Sequence, residues 1–334
     1  MKIKKIVAIV ILLVLLCTLF GCSKSEPLKV KVLIAPHFEI GGFSGDSVGE
    51  AQLFYEHYMN NCDKYTLSTG EDLYYNKENG VALFLTGMGK TNDSCSTTAV
   101  LSDSRFDFSE AYLFSVGCAG SSKGSSVIGD VVIVSAACDF DLGHTADIRD
   151  IDDENATSKW FHAIEYDTSS YKILNKDLVD KAYELTKDIK PYTTDVTKQT
   201  MEENFPNEEW AKREPKVYKG TSITSDNYWK GEYDHEKAKQ VAKSYEVPDE
   251  YAVTEMEDTA TATVADKFNM LDRLIIVRTS VNMDVFLNGK TPETLWGNEG
   301  INTDEETLDI FVPAMQSTFE VGKVIIDSIL ENKI

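Results

Sequence analysis

Residues 81–90 read Val81-Ala82-Leu83-Phe84-Leu85-Thr86-Gly87-Met88-Gly89-Lys90: a short buried strand to Thr86 that stops at a glycine cluster. A helical stretch follows, Thr91 to Leu101. An apolar run that meets glycines and then turns helical is one step of a mostly parallel sheet covered by helices. The same grammar recurs outward. Upstream, Leu28 to Pro36 (LKVKVLIAP) alternates and then runs apolar, as a first strand entering a sheet does. His37 to Gly49 holds four glycines and reads as a loop, opening a helix over Glu50 to Met59. Downstream, Ala111 to Val116 is a strand ending at Gly117 and Gly120, and Asp130 to Val134 is another, entered through Ile128-Gly129. The pattern predicts an α/β fold, with ligand held where glycine loops at the carboxyl ends of strands let backbone approach it.

Farther along, residues 147–219 form a polar excursion with a helical stretch at Leu174 to Ile189. Trp160, Tyr192, Pro206, Trp210 and Pro215 mark it as ordered. The sheet pattern resumes at Gly220 to Ile223 and Arg273 to Val277. Thr254 to Phe268 reads as a helix, and Asp309 to Asn332 as the closing one. No internal repeat or low-complexity tract is present.

The first residues speak to compartment. Lys2, Lys4 and Lys5 precede an uncharged apolar run from Ile6 to Phe20, shorter than the ~20 residues of a spanning helix but suited to a signal peptide. Leu19-Phe20-Gly21-Cys22 then resembles the lipobox of bacterial lipoproteins, apart from the bulk of Phe20. That resemblance implies a signal over residues 1–21, diacylation of Cys22, a linker over 22–27, and an exported, membrane-anchored domain over 28–334. No later segment approaches the ~18 consecutive apolar residues of a transmembrane helix, so any transport role is that of a carrier or binding protein, not a channel.

A formal net charge of −22 argues against nucleic-acid partners and anionic membrane surfaces, which call for basic patches. Cys62, Cys95, Cys118 and Cys138 show no tight spacing, so neither a disulfide framework nor a metal site is indicated. The five histidines, His37, His57, His144, His162 and His235, likewise lack ligand spacing. His37 and His144 fall near predicted loop ends.

Five segments, in order, resemble the nucleoside phosphorylases and nucleosidases. They are Thr86-Gly87-Met88-Gly89-Lys90 with Asn92; Val116-Gly117-Cys118-Ala119-Gly120 followed by Gly129-Asp130-Val131-Val132; Thr224-Ser225-Asp226-Asn227-Tyr228-Trp229; Thr254-Glu255-Met256-Glu257; and Val277-Arg278-Thr279-Ser280-Val281-Asn282-Met283-Asp284. The details of the last two are most similar to the purine nucleoside permease family, whose members lack membrane spans despite the name. The resemblance implies one three-layer α/β/α domain with a mixed central sheet and a habit of forming oligomers. The long excursion would cap the site or block the usual oligomer.

It also implies roles. Glu257 matches the carboxylate that binds the ribose hydroxyls, with Met256 beneath the sugar and Glu255 as a neighbour. Gly89 and Cys118-Ala119-Gly120 match the loops that face the ligand. Asn282 matches the group directed at purine N7, where an amide can hydrogen-bond a developing anion; Asp284 is the alternative if the register differs. Asp226, Tyr228 and Trp229 match a loop whose aromatic ring stacks on the base. Arg278 matches the family strand.

For the nucleophile the match is incomplete. Phosphorolysis needs an anion held by amides and arginines, yet the chain has five arginines, Arg105, Arg149, Arg213, Arg273 and Arg278, and Phe114 stands where some members place a phosphate arginine. Glu39 lies where nucleosidases carry a water-activating glutamate. No cofactor is expected beyond phosphate as an optional co-substrate. The expectation is extracytoplasmic binding of a purine nucleoside with cleavage of its N-glycosidic bond, by a ribosyl hydrolase or a phosphorylase. The alternative is a non-catalytic nucleoside-binding lipoprotein that serves a separate permease.

Overall fold

Continuous apolar runs build the middle of the sheet. Val131–Asp139 is buried at every residue and Tyr112–Ser121 at nearly every one, as strands covered on both faces must be. The structure, a computed structural model, describes residues 26–145, 161–163, 169–287 and 305–334. The signal-like segment, Cys22, Arg149, Trp160 and much of the first part of the excursion lie outside the described residues.

Ten strands form one sheet: β1 (Val32–Pro36), β2 (Asp63–Thr66), β3 (Asp72–Asn76), β4 (Val81–Phe84), β5 (Tyr112–Ser121), β6 (Val131–Asp139), β7 (Tyr171–Ile173), β8 (Val217–Thr224), β9 (Tyr251–Glu255) and β10 (Leu274–Met283). Their order is β7-β6-β8-β9-β5-β1-β4-β3-β2, with β10 joining β5 and β6. Neighbours β5, β1 and β4 run parallel, as do β6, β8 and β9, while the β9–β5 and β10–β6 pairs are antiparallel, so the sheet is mixed. Pairings around β6, β8, β9, β5 and β10 close on themselves, turning that half of the sheet into a small distorted barrel.

Among the described residues seven helices cover it: α1 (Gln52–Tyr58), α2 (Lys90–Leu101), α3 (Lys176–Thr186), α4 (Asp195–Asn204), α5 (Glu232–Ser244), α6 (Asp258–Lys267) and α7 (Glu305–Leu330). Helices α2 and α6 pack together, whereas α1, α3 and α4 gather around α7. Successive β5 residues point to opposite faces. Phe114 meets Phe54 of α1, and the Ser115 hydroxyl meets His37 (3.3 Å) on the other side. The layers are therefore α/β/α.

Several expected boundaries move, each for a physical reason. Strand β5 does not stop at its glycines but runs through Gly117 and Gly120. A Cβ on Gly117 would lie 2.6 Å from Glu50 Oε1 and 2.8 Å from Arg278 Nη1, so glycine there admits two side chains across the strand. The segment read as a helix from Thr254 is split. Tyr251–Glu255 is strand β9, and α6 begins only at Asp258. The Glu255 carboxylate accepts the N–H groups of Glu257 (2.6 Å) and Asp258 (2.8 Å), satisfying donors that open the helix. Polar β2 and β3, an edge hairpin, give no apolar run to read. In the described part of the excursion β7 extends the sheet edge, and α3 and α4 pack on α7.

Gly322 in α7 touches the same seam: a Cβ there would sit 2.8 Å from the Phe54 ring and 3.1 Å from Phe114. Gly322→Ala gains roughly 1 kcal/mol of helix propensity but overpacks a closed core at about 1–3 kcal/mol. A lower denaturation midpoint is expected, read by urea unfolding with unchanged m-value.

Candidate functional site

The sequence-picked segments converge at the carboxyl ends of β5, β9 and β10. There Gly120, Tyr228, Trp229, Glu255, Met256, Asn282 and Asp284 line a shallow open cleft with about 280 Å³ of empty space, open solvent included. A larger hollow of about 410 Å³ beside Val127, Met201 and Arg213 contains none of the residues picked from sequence.

The register of β10 against β5 shifts between Ser280 and Asn282, which sets Asn282 opposite Gly120. A bulge of this kind re-aims a side chain. A Cβ on Gly120 would lie 2.9 Å from Asn282 Oδ1, so this glycine makes the room the amide occupies. Asn282 Nδ2 donates to the Tyr228 hydroxyl (3.0 Å). Tyr228 is about half exposed at 47%, whereas Trp229 is buried and stacks on Phe140 with centroids 4.9 Å apart. Of the two aromatic candidates, Tyr228 is the more exposed; Trp229 is anchored in the core and reaches the cleft only at its wall.

Behind the cleft, Arg278 on β10 is fully buried among carboxylates. Nε and Nη2 donate to Asp258 Oδ1 (2.9 and 2.7 Å), and Nη2 also reaches Glu257 Oε2 (3.1 Å) and Glu255 Oε2 (3.2 Å). Nη1 donates to the Cys118 carbonyl (3.2 Å). Of these two residues expected among the ligand contacts, Arg278 has its guanidinium taken up by protein acceptors behind the cleft, while Glu255 lines the cleft wall and also caps α6.

Glu257 sits between Arg278 and α2. Its Oε1 accepts the Gly89 N–H (2.8 Å), and the next amide, Lys90 N–H, donates to Asp226 Oδ1 (2.7 Å). Two leading amides of α2, where a helix favours negative charge, are thus both occupied by the chain's own carboxylates. Lys90 Nζ meanwhile pairs with Asp139 (3.0 Å) and Asp141 (2.9 Å).

Of the catalytic candidates, Glu39 lies away from the cleft, and Asp284 stands at its wall with its carboxylate already engaged. The Glu39 carboxylate accepts the N–H groups of Ile40, Ala51 and Gln52 at 2.8, 2.9 and 2.6 Å, closing the loop onto the start of α1. Asp284 is buried, with its carboxylate accepting from His235 Nδ1 (2.7 Å), the Tyr251 hydroxyl (2.8 Å) and Lys123 N–H (3.1 Å). The carboxylate that comes to the cluster is Glu50, which the sequence reading missed. Its Oε1 accepts Cys118 N–H (2.8 Å), and its Oε2 accepts His37 N–H (2.8 Å) and Phe38 N–H (3.3 Å). Counting forward from the end of β1 gives Glu39. The loop's fold-back, in which a Cβ on Gly49 would fall 2.0 Å from Glu39 Oε1, is what substitutes Glu50.

Burial pushes Glu50 up to about 7, against the pull of Arg278. It also raises Glu255 and Glu257, both beside the same guanidinium. Asp93, fully buried on α2, is pushed up by burial to about 8. His37, equally buried and near Arg278, is held well below its ordinary value, so its ring is neutral where it bonds Thr86 Oγ1 (2.7 Å). Among the described residues no cluster of His, Cys, Asp and Glu is placed to hold a metal ion.

This architecture is that of the nucleoside phosphorylases and nucleosidases. A 5′-methylthioadenosine/S-adenosylhomocysteine nucleosidase from Colwellia psychrerythraea, solved with adenine, superposes with a TM-score of 0.57 at 16% identity, covering 90% of this chain and 96% of that one. The futalosine hydrolase of Helicobacter pylori gives 0.56 at 14% identity over 90% and 98%. The chain belongs to the purine nucleoside permease family, whose pattern it matches over residues 29–333. A probable purine nucleoside permease of Schizosaccharomyces pombe is 25% identical over 235 residues, 64% of this chain and 67% of the yeast protein.

The raised carboxylates make stability depend on pH. From about pH 5 to 8 the native state keeps protons on Glu50 and Asp93 that the unfolded chain has released, so stability falls as pH rises through that window. Asp93→Asn, which mimics the protonated acid, should flatten the decline. Melting temperatures measured at pH 5 and pH 8 for both proteins test this; an equal fall in both would count against it.

Proposed function

We propose that this protein hydrolyses the N-glycosidic bond of purine nucleosides, with water and not phosphate as the nucleophile. The observation that carries the choice is that Arg278 and the two leading amides of α2 are already taken by the chain's own carboxylates. Arg278 is surrounded by Glu255, Glu257 and Asp258, and the α2 amides hold Glu257 and Asp226. A phosphate dianion would enter a site already short of positive charge, whereas water meets no such penalty.

In this reading the base lies against Tyr228 and the sugar over Met256. Glu257, whose ionised form Arg278 and the Gly89 amide favour against the opposing effect of burial, accepts hydrogen bonds from the ribose hydroxyls and gains strength as the ribosyl ring becomes cationic. The C1′–N bond breaks with its electron pair going to the base, whose developing charge meets the Asn282 amide. A water oxygen bonds C1′ and gives its proton to Glu50. A carboxyl near pH 7 is matched to that exchange, and the departing base is protonated from solvent through the open cleft.

The N-terminal segment supports an exported protein anchored by lipid on Cys22. Among the described residues no helix is long and apolar enough to cross a membrane. Cys22→Ala should abolish incorporation of labelled palmitate and release the protein from the membrane fraction; labelling that persists would remove the anchor.

For the activity, a purine nucleoside panel is incubated with the purified domain, with and without phosphate, and base release is followed by chromatography. Base and free ribose without phosphate are expected, with Glu50→Gln slower by about 10²–10⁴-fold and Glu39→Gln affecting stability more than rate. Ribose 1-phosphate as product would overturn the hydrolytic reading. Binding without release would leave a nucleoside-binding protein that hands its ligand to a separate permease.

A further inference from the structure

Lys230 follows the aromatic loop and belongs to none of the segments discussed so far. Its ammonium donates to the carbonyl of Met283 (2.8 Å), the residue directly after Asn282. The same ammonium stands 5.7 Å from the centroid of the Tyr228 ring, within the range of a cation–π contact. The Tyr228 hydroxyl accepts from Asn282 Nδ2 (3.0 Å). These contacts close a ring: Lys230 to Met283, along the backbone to Asn282, across to Tyr228, and back to Lys230.

We propose that Lys230 is a positioning residue that locks the aromatic platform and the leaving-group amide into one unit, so that a purine base meets both at a fixed separation. The proposal rests on the base-binding part of the functional reading but not on which nucleophile attacks.

The ring spans two elements that the backbone bond from Gly231 N–H to the Asp284 carbonyl (2.9 Å) also ties, one residue further along each. Tyr228 lies on an exposed loop and Asn282 on the bulged end of β10, and a misplacement of about 1 Å in such a pair can cost ~10²-fold in rate. The charge matters as well as the hydrogen bond. Burial lowers Lys230 to about 8, opposed by Asp284 just past the end of β10. The charged and titratable groups around it are Asp284, which is bonded to His235 of α5 and Tyr251 of β9, and the Tyr228 hydroxyl. Burial raises Tyr228 and Tyr251 away from neutrality. Lys230 is accordingly the member of the ring that changes charge just above neutral pH, and it loses its attraction to the Tyr228 face when it does.

Three substitutions separate the contributions. Lys230→Arg keeps a permanent charge, Lys230→Gln keeps a donor for Met283 without charge, and Lys230→Met keeps neither. Each variant is checked for folding by thermal melting and then assayed for base release from adenosine and inosine between pH 6 and 10. Adenine and hypoxanthine binding is measured in parallel by calorimetry. The wild type should lose kcat above about pH 8, and Lys230→Arg should remove that alkaline limb. Lys230→Met should lower kcat at least tenfold and weaken base binding at least fivefold, with Lys230→Gln between. If the wild type binds bases in this pattern yet cleaves nothing, the hydrolase reading fails and the positioning role stands. Folded Lys230→Met with wild-type kcat and base affinity, or an alkaline limb unmoved in Lys230→Arg, overturns the proposal. A wild type that binds neither base overturns it together with the base subsite.

Discussion

The arrangement depends on a single buried guanidinium. Arg278 leaves β10, passes the carbonyl side of β5 at Cys118, and ends among Glu255, Glu257 and Asp258 at the junction of β9 and α6. It joins three of the strands that close the barrel. Removing one partner from a buried ionic cluster costs about 3–5 kcal/mol because the rest are left uncompensated, so the geometry of the strand ends and their electrostatics are fixed by the same contact. Glycine at position 117 follows from it, since any Cβ there would strike both Arg278 and Glu50.

Around that one cation, Glu50, Glu255, Glu257 and Asp258 form a set that cannot all be ionised in a water-poor interior, and Asp93 extends it along α2. Protons therefore remain on part of the set at neutral pH, as the raised values of Glu50 and Asp93 express. A cluster that stores protons beside a cleft lowers the native state's stability at high pH and, by the same physics, keeps an acid–base group close to neutrality. Strain on the fold and readiness for proton transfer are two readings of one charge imbalance.

The strands and the order of the glycine loops were legible because buried parallel strands write continuous apolar runs and because close backbone approaches demand glycine. The convergence of Gly120, Tyr228, Met256 and Asn282 on one cleft likewise follows from segments whose spacing is kept along the chain. Glu39 and Glu50 were not separable. Both follow β1, and only the loop's closure through Glu39 onto Ala51 and Gln52 decides which carboxylate turns inward. Arg278 reads as a site residue from its motif but serves the cluster behind the cleft, and Glu255 belongs to both, since a sequence pattern marks a neighbourhood without saying which side chains face out. The break between β9 and α6 was hidden for a related reason: it is made by a side chain, Glu255, accepting amides two and three residues ahead.

The start of α2 shows how a constraint on one charge becomes a constraint on chemistry. A helix N-terminus is a natural seat for an external anion, and a glycine loop before it leaves the amides open. Here the Gly89 and Lys90 amides are filled by Glu257 and Asp226, carboxylates brought from β9–α6 and from the loop after β8. The helix field that could have bound phosphate instead favours the ionised form of Glu257, the form able to accept two hydrogen bonds from vicinal hydroxyls. Holding that carboxylate ready and seating a phosphate at the same amides are mutually exclusive uses of one helix end. That exclusivity is the physical ground of the proposed hydrolytic reading.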